Sequence, residues 1–324
     1  MGLKLKNPII AGSSGLTNSL KDIKELEENG AGAVILKSLF EEEIRIELEK
    51  DLQRMSKESF LYPETLDFYD TYDVEDTLTN YLKLIRDCKQ EVSMPVIASI
   101  NCVTASKWPY YASTLQDAGA DGLELNVFVL PSNLNSSVEE NEKLYFDIVD
   151  EVKKQVSLPM ALKISYYSSN LASLIQRLSA TGIAGIVLFN RFYSPDIDID
   201  NMKVLSTNVL SHPEEISMPL RWIGIMAKRV ECDLAASTGI HDGEAAIKLL
   251  LAGANAVQVA STLYRNGKEQ IGKILDEIGQ WMDQKQFKSI DDFRGKMSHT
   301  DADDPAAYFR MQFMKHFAGV RSDE

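Results

Sequence analysis

An apolar run followed by a helical pattern repeats eight times along this 324-residue chain and most constrains its fold. Near-continuous apolar runs are typical of parallel strands covered by helices on both faces, and alternating strands and helices predict a parallel sheet. We therefore predict a single (β/α)8 TIM barrel over residues 1–324. The expected strands are Pro8–Ala11, Ala33–Lys37, Pro95–Ile100, Gly122–Val127, Met160–Ile164, Gly185–Phe189, Asp233–Ser237 and Ala256–Val259.

A second repeat supports the barrel. Gly-Ala or a similar small pair precedes the second, fourth, sixth and eighth strands, beginning at Gly30, Gly119, Gly182 and Gly253. Glycine at this place is typical of a helix C-cap leading into the next strand.

Two regions interrupt the alternation of strands and helices. Residues 40–81 are too long for one unit and contain a charged helical pattern, Glu41–Lys57, before an aromatic loop, Phe60–Tyr72. Residues 191–215 separate the sixth strand from its helix. We predict insertions after strands two and six, on the face where barrel active sites lie. We expect a polar tail from Ser289–Lys296 onward, with residues 297–324 outside the barrel and the last dozen partly disordered.

Composition limits the possible partners. The formal net charge of −14 argues against nucleic acid and anionic membranes. The three cysteines, Cys88, Cys102 and Cys232, are too few and too scattered for a disulfide framework or an iron–sulfur cluster, and no metal site is predicted. We found no transmembrane or signal pattern, so we expect a cytoplasmic protein.

Two short segments near the C-terminus predict a phosphate site. Ser237–Gly243 and Val257–Thr262 each run from an apolar strand into small, hydroxyl or glycine residues before a helix. Neighbouring turns of this kind direct backbone N–H groups at one point and bind phosphate in many barrels.

Polar residues recur where the predicted strands end: Lys37-Ser38, Asn101-Cys102, Asn126, Lys163 and Asn190-Arg191. A polar side chain within an apolar run is costly to bury without a partner, so one shared polar ligand explains the set. Two lysines and several amides suit an electron-rich ring with a phosphate tail, such as a flavin nucleotide.

Collinear motifs resemble the dihydroorotate dehydrogenase family, specifically its class 1 FMN-dependent barrels. The resemblance covers roughly residues 3–296 and is carried by Asn7–Gly15, Lys37-Ser38, Glu124-Leu125-Asn126, Leu162-Lys163, Asn190, Ser237–Ile240 and Ala260-Ser261. It implies oxidation of dihydroorotate to orotate in pyrimidine biosynthesis, with hydride passing to flavin N5 and later transfer to an electron-accepting molecule or subunit. It also implies a homodimer.

The resemblance implies the roles of particular residues. The substrate would contact Lys37, Asn126 and Asn190, and Lys163 would serve catalysis beside the flavin. The cofactor contacts would be Ala11, Gly12, Ser13, Lys37, Ser38, Asn101, Asn126, Lys163, Ser217, Thr238, Gly239, Ala260 and Ser261.

The loop after Asn126 departs from the family pattern. The family has a cysteine or serine base there, whereas this chain reads Val127-Phe128-Val129-Leu130-Pro131-Ser132. Ser132 is the predicted catalytic base, with Tyr69 and Tyr193 as lesser candidates and Cys102 interpreted as a half-buried structural thiol. Thr238 and Ala260 stand where most of the family has glycine.

The substrate loop also departs from the pattern. Residues 61–70 contain three carboxylates in place of the family's asparagines, and these disfavour a substrate carboxylate. The alternatives are therefore another cyclic amide or dihydropyrimidine as substrate, or a flavin-binding barrel that lacks the base and transfers electrons. An isomerase or aldolase, with Lys163 as a Schiff-base lysine, is a third alternative.

Overall fold

The computed structural model describes residues 2–44, 77–102, 107–191, 194–207, 209–300 and Tyr308. Eight of its strands pair in parallel around a closed ring, which confirms the predicted (β/α)8 barrel. These are β1 (Ile9–Ala11), β2 (Ala33–Ile35), β4 (Val96–Asn101), β5 (Gly122–Asn126), β6 (Met160–Ile164), β7 (Gly185–Leu188), β10 (Asp233–Ser237) and β11 (Ala256–Val259). A short strand that we did not predict, β3 (Leu39–Phe40), pairs with the end of β4.

Helices follow the barrel strands around the outside. They are α1 (Leu20–Glu28), α2 (Thr77–Glu91), α3 (Lys107–Asp117), α4 (Val138–Lys153), α5 (Leu171–Ser179), α6 (Ser217–Met226), α7 (Gly243–Ala252), α8 (Ser261–Asn266) and α9 (Gln270–Lys285). The glycines that begin the four predicted turns, Gly30, Gly119, Gly182 and Gly253, all have positive φ. No helix in these described ranges is both long and apolar enough to cross a membrane.

The barrel interior has an apolar layer and a polar layer. Ile97, Ala161 and Ala256 belong to the inner apolar cluster, on which Leu3 and Leu5 pack. Side chains two residues apart on a strand share a face. Ser99, Lys163 and Gln258 therefore point into the same interior, one layer nearer the C-terminal ends of the strands. The polar layer forms the floor of the candidate site.

The two predicted insertion regions differ in how much of them is described. Most of residues 40–81 lies outside the described residues, although residues 41–44 are helical and α2 begins at Thr77. Between β7 and α6, strands β8 (Ser194–Asp198) and β9 (Lys203–Thr207) form an antiparallel hairpin.

The segment predicted to open a polar tail instead packs on the barrel. Phe293 is fully buried, with its ring centroid 5.0 Å from that of Trp281. The Met297 N–H donates to the Leu251 carbonyl and the His299 N–H donates to the Gly224 carbonyl, each at 2.8 Å. A buried aromatic side chain outweighs the polar composition around it, so the chain stays on the barrel surface as far as residue 300.

Candidate active site

A cavity of about 1010 Å³ opens at the C-terminal ends of the barrel strands. This volume lies at the upper end of ligand pockets, roughly 300–1,000 Å³, and is large enough for a nucleotide with a small second ligand. Most of the predicted site residues line it: Gly12, Ser13, Lys37, Ser38, Asn101, Asn126, Lys163, Asn190, Thr238, Gly239, Ala260 and Ser261.

A buried charged network forms the cavity floor. Lys163 Nζ lies 3.5 Å from Glu124 Oε1 and donates to Gln258 Oε1 at 3.1 Å, while Gln258 Nε2 donates to Glu124 Oε2 at 2.7 Å. Glu124 is fully buried and the Lys163 side chain is only 12% exposed. The buried carboxylate holds the ammonium of Lys163 at the cavity, because separating them would leave an uncompensated charge.

A chain of hydroxyl groups crosses the cavity floor beside this network. Ser38 Oγ lies 2.7 Å from Ser99 Oγ and 3.2 Å from Ser13 Oγ, and the Asn126 amide donates to Ser38 Oγ at 3.4 Å. Asn126 Oδ1 is buried and accepts no hydrogen bond from the described residues. Because a buried amide oxygen without a donor is costly, this atom indicates a place for a ligand N–H.

Tyr81 fixes the backbone at Ser99. Its hydroxyl accepts from the Ser99 N–H at 3.0 Å and donates to the Ser99 carbonyl at 3.2 Å. Burial raises the pKa of the Tyr81 phenol, so it stays neutral and keeps both bonds at neutral pH.

The two predicted phosphate turns meet at the opposite end of the cavity. The Ser211 N–H donates to Ser261 Oγ at 2.9 Å, and the Gly239 N–H donates to Ser211 Oγ at 3.4 Å. Thr238 and Gly239 both have positive φ, +83° and +76°. Glycine is required at the second position, because a methyl group there would collide with the backbone nitrogen of Ile216.

His241 connects the two turns by hydrogen bonds. Its Nε2 lies 3.2 Å from Ser211 Oγ, and its carbonyl accepts from Thr262 Oγ1 at 3.1 Å and from the Gln270 amide at 3.0 Å. Burial, with the charge of Arg265, lowers the pKa of the His241 imidazole, which is therefore neutral near pH 7. The two turns are thus held together by hydrogen bonds between uncharged groups.

Arg191 fixes the irregular segment that leads to Ser211. Its guanidinium donates to Glu215 at 2.9 and 3.1 Å and to the Val209 carbonyl at 2.9 Å. Burial raises the pKa of the Glu215 carboxyl, but hydrogen bonds from Arg191 and the His212 N–H outweigh this effect and lower it overall.

The side of the cavity next to β2 is acidic. Lys37 Nζ donates to Glu43 Oε1 at 3.1 Å, and the Glu42 side chain lines the cavity with a buried Oε2 that has no hydrogen-bond partner among the described residues. Cys102 also lines this side and is half-buried, as predicted. Burial, with the charges of Glu41 and Glu42, raises the pKa of the Cys102 thiol, so it is protonated at neutral pH.

Asn190 is 6% exposed and donates to the carbonyls of Val127 (3.1 Å) and Lys163 (3.2 Å). Its amide therefore ties the ends of β5 and β6 together, and this bonding occupies its donors. The predicted substrate contact would have to use the remaining oxygen.

Three predicted site residues do not line the cavity. Ala11 is fully buried within β1. Ser217 is exposed in the first turn of α6, and Ser211, six residues earlier, is the serine that reaches the phosphate turns. Ser132 is exposed on the loop after β5, whose Val127 and Phe128 line the cavity in its place. Tyr69, Tyr193 and the acidic stretch at 61–70 lie outside the described residues.

Sequence reasoning missed several members of the site, among them Gln258, Ser211 and Glu42. Gln258 is a single polar residue inside the apolar run of β11, the same signal that identified Lys163. Ser211 carried no local signal, because its partners lie about thirty and fifty residues away along the chain.

A buried lysine and amide groups around a large cavity at the C-terminal ends of the strands are features typical of the active site of a (β/α)8 barrel enzyme. The dihydroorotate dehydrogenase family model matches residues 73–282, more than half of the chain. The chain belongs to the dihydroorotate dehydrogenase family, whose members are flavin-dependent in general, and it is an oxidoreductase acting on CH–CH bonds.

Curated relatives span almost the whole chain. Dihydroorotate dehydrogenase B (NAD(+)), catalytic subunit, from Thermoplasma acidophilum is 28% identical over 304 residues, covering 91% of this chain and 96% of the relative. The protein of the same name from Alkaliphilus oremlandii is 25% identical, with 91% and 96% coverage. A putative dihydroorotate dehydrogenase A (fumarate) from Aeropyrum pernix is also 25% identical, with 91% and 94% coverage.

Proposed function

We propose that this protein is an FMN-dependent oxidoreductase that removes hydride from a small cyclic amide. One observation carries the proposal: Lys163 and Asn126, whose Oδ1 has no donor among the described residues, line one cavity that ends in two phosphate-type turns. A planar ring with donor and acceptor edges and a phosphate tail fits this set of groups.

The turns around Thr238, Gly239, Ala260 and Ser261 would hold the phosphate, and Lys37, Asn126 and Lys163 would contact the ring. When bound, FMN supplies a hydride acceptor at its N5 atom. The ammonium of Lys163, held at the cavity by Glu124, would stabilise the negative charge of a ring that has accepted a hydride. Asn126 Oδ1 would accept a hydrogen bond from the ring, since it has no donor among the described residues.

The names of the relatives make dihydroorotate the first candidate substrate, and an uncharged cyclic amide is the second. Proton removal from either substrate needs a base. The described part of the loop after β5 presents Val127 and Phe128 to the cavity, which supports a base that comes from another element. A barrel that binds flavin and only transfers electrons is the alternative that this loop favours.

The remaining expectations concern partners. We propose a second molecule or subunit as electron acceptor, a cytoplasmic location and a homodimer. The hairpin β8–β9 supports an interface, because Ile197, Met202 and Val204 are 65–87% exposed on it. Sedimentation or light scattering of the purified protein gives the oligomeric state directly.

An absorbance spectrum of the purified protein tests the cofactor. We expect flavin bands, or their appearance after addition of FMN followed by desalting. Colourless protein that does not retain FMN would overturn the proposal. If borohydride instead traps a Schiff base between a lysine and a sugar phosphate, the aldolase alternative is supported.

Anaerobic mixing then tests catalysis. We expect dihydroorotate or an uncharged dihydropyrimidine to bleach the bound flavin. If dithionite reduces the bound flavin but no dihydropyrimidine reduces it, the electron-transfer alternative is established in place of the enzyme.

A further inference from the structure

We infer that the substrate of this site is an uncharged cyclic amide and that Glu42 excludes substrates carrying a carboxylate. The inference rests on the proposed function and specifies the substrate class of the same cavity. It follows from the charges around the cavity and from one buried carboxylate oxygen.

Each cation that lines the described part of the cavity is already paired with a carboxylate. Lys163 lies against Glu124 (3.5 Å), Arg191 against Glu215 (2.9 Å) and Lys37 against Glu43 (3.1 Å). Lys37 and Glu43 are each about 40% exposed, so their pair contributes little stability, but its summed charge is still zero. The three cations therefore leave no net positive charge for a substrate carboxylate.

Glu42 adds a further negative charge to this balanced set. Its side chain lines the cavity, and its Oε2 is buried without a hydrogen-bond donor among the described residues. Cys102, on the same side of the cavity, is a protonated thiol and offsets none of this charge. The described charged residues that line the cavity, counted together with their counter-ions Glu43, Glu124 and Glu215, thus carry a net negative charge before any FMN phosphate is added.

Glu42 affects a substrate that carries a carboxylate and an uncharged substrate in opposite ways. A carboxylate would enter a partly desolvated site beside a like charge, where repulsion is only weakly screened. A ring N–H would instead donate to Oε2 and satisfy the buried acceptor. The same cavity therefore rejects an anionic ring and retains an uncharged one.

Binding to the flavin-loaded protein tests this inference without requiring turnover. Orotate and its carboxamide share a ring and nearly the same size but differ in charge. We expect the carboxamide to bind at least tenfold more tightly, measured by titration of the flavin difference spectrum. In Glu42→Gln the ratio should fall at least fivefold through tighter orotate binding, and in the remote, exposed Glu28→Gln it should not change.

Glu43→Gln provides a second variant should Glu42→Gln fold poorly. It frees Lys37 from its counter-ion, so orotate affinity should again rise. Tighter binding of orotate than of the carboxamide to the unaltered protein would overturn the inference, as would binding of neither ligand or a ratio unaffected by both variants. Flavin content is measured first, and protein that holds no flavin would refute the proposed function itself.

Discussion

The two ends of the cavity are built differently. At the phosphate end, backbone turns and buried neutral side chains such as Ser211 and Thr262 bond to one another. At the substrate end, the charged side chains of Lys37 and Glu42 line the cavity from residues following β2, and Glu43 pairs with Lys37. The first end is built mainly from backbone turns and hydrogen bonds between uncharged groups. The second depends on side-chain charge, which single substitutions readily change.

Lys163→Met gives the largest expected effect, because it disrupts the charged network on the cavity floor that both ends share. The change leaves the fully buried Glu124 without its counter-ion, which typically costs about 3–5 kcal/mol of unfolding free energy. Loss of the cation should also slow flavin reduction roughly 10²–10³-fold. Denaturant unfolding and anaerobic stopped-flow absorbance measure the two effects.

A double variant separates charge burial from catalysis. Lys163→Met with Glu124→Gln removes both charges, so much of the lost stability should return while flavin reduction stays slow. Recovery of the reduction rate in the double variant would contradict a direct role for the Lys163 ammonium.

Gly239→Ala disrupts the phosphate end alone. The added methyl group meets the Ile216 nitrogen at a φ of +76°, so overpacking and backbone strain should together cost about 2–4 kcal/mol. We also expect loss of flavin on desalting, measured by the absorbance ratio of flavin to protein. Gly279→Ala is the matched control: Gly279 lies inside α9 with open space around it, so alanine should stabilise the protein by roughly 0.5–1 kcal/mol.

Thr238→Gly should strengthen the phosphate end. A β-branched residue at a φ of +83° is strained, and glycine should raise the unfolding free energy of the flavin-free protein by about 1 kcal/mol. A smaller gain in the flavin-loaded protein would indicate that the Thr238 hydroxyl contacts the phosphate. Thr238→Ala, which removes the hydroxyl but keeps much of the strain, distinguishes the two contributions in thermal and denaturant unfolding.

The contrast between the ends also explains what the sequence could predict. The strands and Lys163 were predictable because hydrophobic periodicity and a lone cation in an apolar run are local signals. Gln258 carried the same signal and was overlooked. Ser211 and Glu42 could not be found this way, because their places in the cavity depend on how distant segments meet. Ser132 was chosen as the nearest hydroxyl along the loop, yet closeness in sequence does not turn a side chain inward.

Ser132→Ala should therefore have the smallest effect and most directly tests the substrate end. The Ser132 side chain is exposed and does not line the cavity, although its N–H donates to the Leu130 carbonyl at 2.8 Å, a bond that alanine retains. We expect the anaerobic flavin-reduction rate to change less than twofold and stability by no more than about 0.5 kcal/mol. A rate loss of a hundredfold or more, with an unchanged flavin spectrum, would make Ser132 the base after all. The loop would then have to close inward when substrate binds, because catalytic contacts often form only in the complex.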